Sequence, residues 1–124
     1  MRKVVFDSSF LIAVLEKPTT WYEDVSEKVG RFQPVILDCV KKELTRLSEG
    51  ETKRARYARL ALELTKEFEL GKCGGGGLSV DDEITSYSKG ASAFVATVDA
   101  KLLSSLRKTR VGAITLKSGR VALA

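Results

Sequence analysis

Four short apolar runs constrain this chain more than any other feature: Lys3-Val4-Val5-Phe6, Pro34-Val35-Ile36-Leu37, Ala93-Phe94-Val95-Ala96-Thr97 and Ala113-Ile114-Thr115-Leu116. Each is too short for a stable helix and rich in β-branched or aromatic residues, so each reads as a strand. Helical patterns lie between them. Phe10, Leu11, Val14 and Leu15 share one face of a helix capped by Ser8 or Ser9, and Pro18 stops it. Trp21 to Val29 is a second helix closed by Gly30. Asp38 stands at the N-cap of a helix running to about Ser48, with Gly50 ending it. Residues 51–70 read as one long helix with Tyr57, Leu60, Ala61, Leu64 and Phe68 as its apolar stripe. Residues 71–77 hold four consecutive glycines and form a loop. Ser79 with Asp82 resembles a capping box opening a helix to Ser88, and Leu102, Leu103 and Leu106 mark the next helix. Residues 120–124 add a short edge strand. This alternation predicts an α/β fold with a largely parallel central sheet and helices on both faces, and the 124 residues fit one domain, 1–124.

Composition narrows the chemistry. There is no His, which removes every triad or general base built on imidazole. The two cysteines, Cys39 and Cys73, have no Cys or His neighbour at zinc-ligand spacing, and Cys39 reads as buried apolar filler. The glycine loop is not followed by Lys-Ser/Thr and no strand is read before it, so a P-loop is excluded. No apolar run approaches the ~18–20 residues of a membrane span, and the start lacks a signal-peptide pattern, so a cytoplasmic protein is expected. Asn is absent beside many Lys, Arg and Glu, a balance expected of a thermophilic source. A net charge of +5 favours a polyanionic partner such as nucleic acid. Aromatics are only 7%, too few for a base-stacking platform.

Four acids fall near the carboxyl edge of the predicted sheet, where open parallel sheets bind ligands. Asp7 and Asp99 follow the first and third strands; Glu43 and Asp81 lie early in the helices after the second strand and after the glycine loop. Singly, each has an ordinary reading: Asp7 or Asp99 as a helix cap, Glu43 as a solvated helix residue, Asp81 as a helix-dipole acid. Together they form a cluster whose mutual repulsion a magnesium or manganese ion would relieve. Lys41, Lys42, Arg46, Lys53, Arg54, Arg56 and Arg59 are candidates for holding nucleic-acid phosphates, or an ordinary solvated face. A phosphoacceptor receiver domain would need paired acids after the first strand, and a haloacid dehalogenase phosphatase would need Asp-x-Asp. Ser8 and Ser9 stand there instead.

The motifs resemble those of the PIN-domain family. Val4-Val5-Phe6-Asp7-Ser8-Ser9-Phe10-Leu11 looks like its opening strand and acidic turn, and Val40-Lys41-Lys42-Glu43-Leu44 its second motif. Val80-Asp81-Asp82-Glu83-Ile84 resembles the third, and Val95-Ala96-Thr97-Val98-Asp99 the fourth, Thr-x-Asp at a strand end. Order and intervals agree across essentially the whole chain. The resemblance implies a three-layer α/β/α sandwich and a Mg/Mn-dependent endoribonuclease leaving a 5′-phosphate and a 3′-hydroxyl. Asp7, Glu43 and Asp81 would hold one ion, Asp99 would complete that site or serve a second, and Ser8 or Thr97 would orient a carboxylate or water. Small archaeal members related to rRNA-processing factors are most similar, then toxin-type nucleases. RNA is the implied partner, with a homodimer, an antitoxin or a ribosome-assembly partner as further implications. An inactive RNA-binding or assembly module is the alternative. Two departures stand out: Val98 sits where the family usually has Asn, and no acid follows Asp99 within the next helix turn.

Overall fold

The computed structural model describes residues 1–17 and 19–124. Pro18, read above as a helix stop, lies outside the described residues. The chain runs β1 (Arg2–Phe6), α1 (Ser8–Glu16), α2 (Trp21–Val29), β2 (Phe32–Leu37), α3 (Asp38–Leu47), α4 (Lys53–Leu64), a 3₁₀ turn (Thr65–Glu67) and β3 (Glu69–Gly71). It continues as α5 (Val80–Ala91), β4 (Phe94–Ala96), α6 (Ala100–Lys108), β5 (Ala113–Lys117) and β6 (Arg120–Leu123). The strands form a six-stranded sheet in the order β3-β2-β1-β4-β5-β6. All pairs are parallel except β5 with β6. Helices α1, α3 and α4 pack together, as do α5 and α6, giving the expected three-layer α/β/α sandwich.

The central strands are apolar because they are covered on both faces. Val4, Val5, Phe6, Val35, Leu37, Val95 and Ile114 are fully buried. Phe6 anchors an aromatic cluster, with Phe10, Trp21, Phe32 and Phe68 rings 5.4–6.3 Å from its own. The β6 edge is tied down by the buried Asp24 of α2, which accepts two hydrogen bonds from Arg120 at 2.8 and 3.1 Å.

Five expectations are corrected. The helix read over residues 51–70 stops at Leu64, and its last residues become β3, which pairs Glu69, Leu70 and Gly71 with Val35, Ile36 and Leu37. A strand therefore does precede the glycine loop. The buried face of α4 is Ala55, Ala58 and Ala61, while Leu60 is half exposed. Small side chains let α1 and α3 pack close against α4, which an apolar stripe of large residues would not allow. Asp38 is the first residue of α3, not its cap, and its carboxylate instead accepts Cys73 N–H at 3.0 Å. Cys39 is no filler: it forms a disulfide with Cys73, joining the start of α3 to the glycine loop.

Gly71 ends β3 under Leu37 and Tyr87. A Cβ there would lie 2.6 Å from Leu37 Cδ2 and 3.0 Å from Tyr87, so a larger residue fits only if these side chains shift.

Candidate metal centre

The topology reverses between β1 and β4: after β1 the chain builds outward to β2 and β3, then crosses back to β4 on the other side. A crevice opens beyond the carboxyl ends at such a switch point. Asp7 and Thr97 follow the last residues of these two strands, held by backbone bonds from Asp7 N to Ala96 O and from Thr97 N to Ile114 O, both 3.0 Å.

Asp7 occupies the N-cap position of α1, yet its side chain makes no cap hydrogen bond. Its Oδ2 instead accepts the hydroxyls of Ser9 at 2.6 Å and Thr97 at 2.7 Å. Thr97 Oγ1 also accepts Asp99 N–H at 3.1 Å, and Ser9 Oγ accepts Val98 N–H at 3.2 Å. Ser8 Oγ donates to Glu43 Oε1 at 2.5 Å, bringing the α3 acid beside Asp7. One strand-end turn thus orients Asp7, Glu43 and the backbone leading to Asp99.

The electrostatics show the same convergence. Burial pushes the Asp7 carboxyl above its ordinary range, the Ser9 and Thr97 hydroxyls oppose this, and the Glu43 charge adds to it. Asp81 is raised too, by burial first and then by the charges of Asp7, Asp99 and Glu43, with Lys101 opposing. Among the described residues, none of the four acids is in an ion pair with Lys or Arg. Their repulsion is opposed only at longer range, by Lys101.

Asp99 serves two ends. Its Oδ1 accepts Lys101 N–H at 2.8 Å and Leu102 N–H at 3.3 Å, capping α6. Among the described residues its other oxygen makes no hydrogen bond.

The donor set, carboxylate oxygens without sulfur or imidazole, suits a hard divalent cation. The oxygens stand apart, however. Among the described residues, no three of the four acids bring oxygens within 4.8 Å of one another. Mutual repulsion accounts for that spacing. The group that does approach so closely is Asp38, Cys39 and Cys73, whose sulfurs are spent on their disulfide.

The sequence offered Ser8 or Ser9 only as the cap of α1; Asp7 holds the cap position instead, and Ser9 donates to Asp7 as directly as Thr97 does. The available signal was a hydroxyl two residues beyond an acid at a buried strand end, where the carboxylate needs donors. The predicted basic surface disperses. Lys41 is half-buried, and Lys42 and Arg46 are exposed on α3. Lys53 and Arg54 line a cleft with Glu16 and Lys17 at the far end of α1. That end lies nine residues from Asp7, about 13–14 Å along a helix. Arg56 and Arg59 border a shallow concavity around Leu60. Arg59 Nη1 is engaged by Ser48 O at 2.6 Å and Gly50 O at 3.1 Å, holding the end of α3 rather than standing free for phosphate.

A mainly parallel three-layer α/β/α sandwich with acids gathered at its switch point is the architecture of a PIN-like domain. The sequence profile of the PIN-like domain family matches residues 4–119, and the chain belongs to that family. Seventeen solved chains match its fold. One is the PIN domain endonuclease Utp24, superposing with a TM-score of 0.80 at 25% identity over 98% of this chain and 90% of that one. No curated protein matches in sequence.

Proposed function

We propose that this chain is a divalent-metal-dependent endoribonuclease, acting as one domain over residues 1–124. The observation that carries this reading is that the buried Asp7 and the half-buried Glu43 and Asp81 lie near enough to one another, and Asp81 near enough to the exposed Asp99, for their charges to act on one another at the β1/β4 switch point. Likeness to a PIN domain endonuclease supports it. Asp7, Glu43 and Asp81 would hold a magnesium or manganese ion, with Asp99 completing the set. A bound ion of this kind supplies an activated water and neutralises charge on the attacked phosphate. Ser9 and Thr97 fix the Asp7 carboxylate, and Ser8 fixes Glu43, so the acids are oriented before RNA arrives. With no imidazole in the chain, the carboxylates are the groups at this site that could take up a proton.

The test is cleavage of end-labelled single-stranded RNA in manganese, with Asp7→Asn and Asp99→Asn beside wild type. Wild type should cut, leaving 5′-phosphates, and chelator should stop it. Asp7→Asn should fall by about 100-fold or more, since even outer partners of metal ligands are worth 10–100-fold. Cleavage that persists in chelator or in both variants rejects the proposal.

One observation favours a second reading, a PIN-like RNA-binding or assembly module without activity: Asp99 spends Oδ1 on the α6 cap, and Val98 replaces the usual Asn. Under that reading wild type binds RNA without cutting it, with manganese or without.

A further inference from the structure

At the opposite, amino edge of the sheet lies a cavity of about 420 Å³ between the starts of β1 and β4 and the ends of α5 and α6. Arg2, Lys89 and Arg110 line it, with the hydroxyl residues Ser88 and Ser92, and no acid does. Helix C-termini attract cations by themselves, which accounts for Lys89 in the last turn of α5. It does not account for the rest. The last turn of α6 already holds Arg107 and Lys108 before Arg110 is reached, and Arg2 comes from a strand.

Three independent details point to a ligand. Ser88 is fully buried, and its Oγ has no hydrogen-bond partner. A buried hydroxyl without a partner is unfavourable unless something else supplies one. Second, both helices end on left-handed residues with side chains, Ser92 at φ 53° and Arg110 at φ 60°, where glycine is the ordinary choice. Among the described residues only one other non-glycine adopts positive φ, and it lies elsewhere. Strain kept at two positions of one cavity indicates that those side chains are needed there. Third, the Arg2 guanidinium lies 5.0 Å from the Phe94 ring centre, which orients it beside the cavity.

We propose that this cavity is a phosphate-binding site, held by Arg2, Lys89 and Arg110, with the Ser88 hydroxyl, enclosed in this structure, turning to donate its proton when the ligand enters. The phosphate belongs either to an RNA backbone or to a free phosphate compound, since both present the same oxyanion to charged donors. The site is separate from the acids, across the length of β1.

Amide-resolved NMR titration in chelator tests this without involving cleavage. Inorganic phosphate, AMP and a short single-stranded RNA are titrated into wild type, Arg110→Gly and Ser88→Ala. Amides of Lys89, Ser92, Val111 and Gly112 should shift with the ligand that binds. Arg110→Gly should melt higher, because glycine relieves the left-handed strain, yet bind at least about tenfold more weakly, the scale of one charge-assisted hydrogen bond. Ser88→Ala should fold and bind more weakly. If RNA is the natural ligand, it shifts these amides at lower concentration than AMP or phosphate, and Arg110→Gly lowers its log–log salt slope by about 0.7. If a free phosphate compound is, the order reverses. Absence of shifts at these amides with all three ligands, or equal binding by wild type and Arg110→Gly, overturns the site.

Discussion

Replacing Thr97 by Val removes one hydroxyl from a fully buried position while leaving shape almost unchanged. Two hydrogen bonds go with it: the 2.7 Å bond donated to Asp7 Oδ2 and the 3.1 Å bond accepted from Asp99 N–H. The first has a charged acceptor and is worth about 1.5–3 kcal/mol, the second about 0.5–1.5 kcal/mol, so the loss should total roughly 2–4 kcal/mol. That is a large share of the ~5–15 kcal/mol that holds a domain together. The first contribution depends on the Asp7 charge. In an Asp7→Asn background it shrinks to that of a neutral bond, and the two substitutions should couple by about 1–2 kcal/mol. Urea unfolding of the four proteins at neutral pH in chelator measures both quantities. A Thr97→Val loss below about 0.5 kcal/mol, under the net value of a typical bond, would refute the argument. So would the same loss in both backgrounds, because the hydroxyl would then not be serving the carboxylate.

The raised Asp7 and Asp81 carboxyls take up protons at higher pH in the folded than in the unfolded chain. Stability therefore falls as pH rises through their folded values and is regained on acidification. Asp24, held below the usual carboxylate range by Arg120, acts the other way, losing its contribution as pH falls through its folded value. The clean measurement is thus melting of metal-free wild type against Asp7→Asn: the variant should be more stable at neutral pH, with the gap closing toward pH ~4, near the reference carboxylate value. Reducing the Cys39–Cys73 disulfide, which spans 34 residues, should lower stability by about 2–4 kcal/mol in denaturant unfolding, and a Cys39→Ser, Cys73→Ser protein should not respond to reductant. Gly71→Ala should lose about 1–3 kcal/mol through overpacking against Leu37 and Tyr87, read by thermal melting.

Much of the fold was legible because the four central apolar runs are strands buried on both faces, a signal that needs no partner to be recognised. β3 was not. Its three residues continue the helical pattern of α4, and only pairing with Val35–Leu37 and the close fit of Gly71 make them a strand. The α4 stripe was legible in Tyr57, Ala61, Leu64 and Phe68, which reach the core, but not in the half-exposed Leu60; the closest helix packing uses Ala55, Ala58 and Ala61, whose small side chains carry little periodic signal. The disulfide was hidden because residues 34 apart in sequence meet only once α3 and the glycine loop are placed. The acids were visible from their places after strands, yet not their division of labour. That Asp7 declines the cap of α1 while Asp99 accepts the cap of α6 depends on hydroxyls arriving from Ser9 and Thr97.

The shared role of Asp7, Glu43 and Asp81 is tested most directly by crystals of the wild type soaked in manganese, with data collected at the manganese edge. An anomalous peak should stand between these three carboxylates, about 2.0–2.6 Å from an oxygen of each, the range of hard-cation ligation. Crystals of Asp7→Asn should lose it. Ordered carboxylates with no peak among them, or a peak confined to some other part of the molecule, would contradict the account.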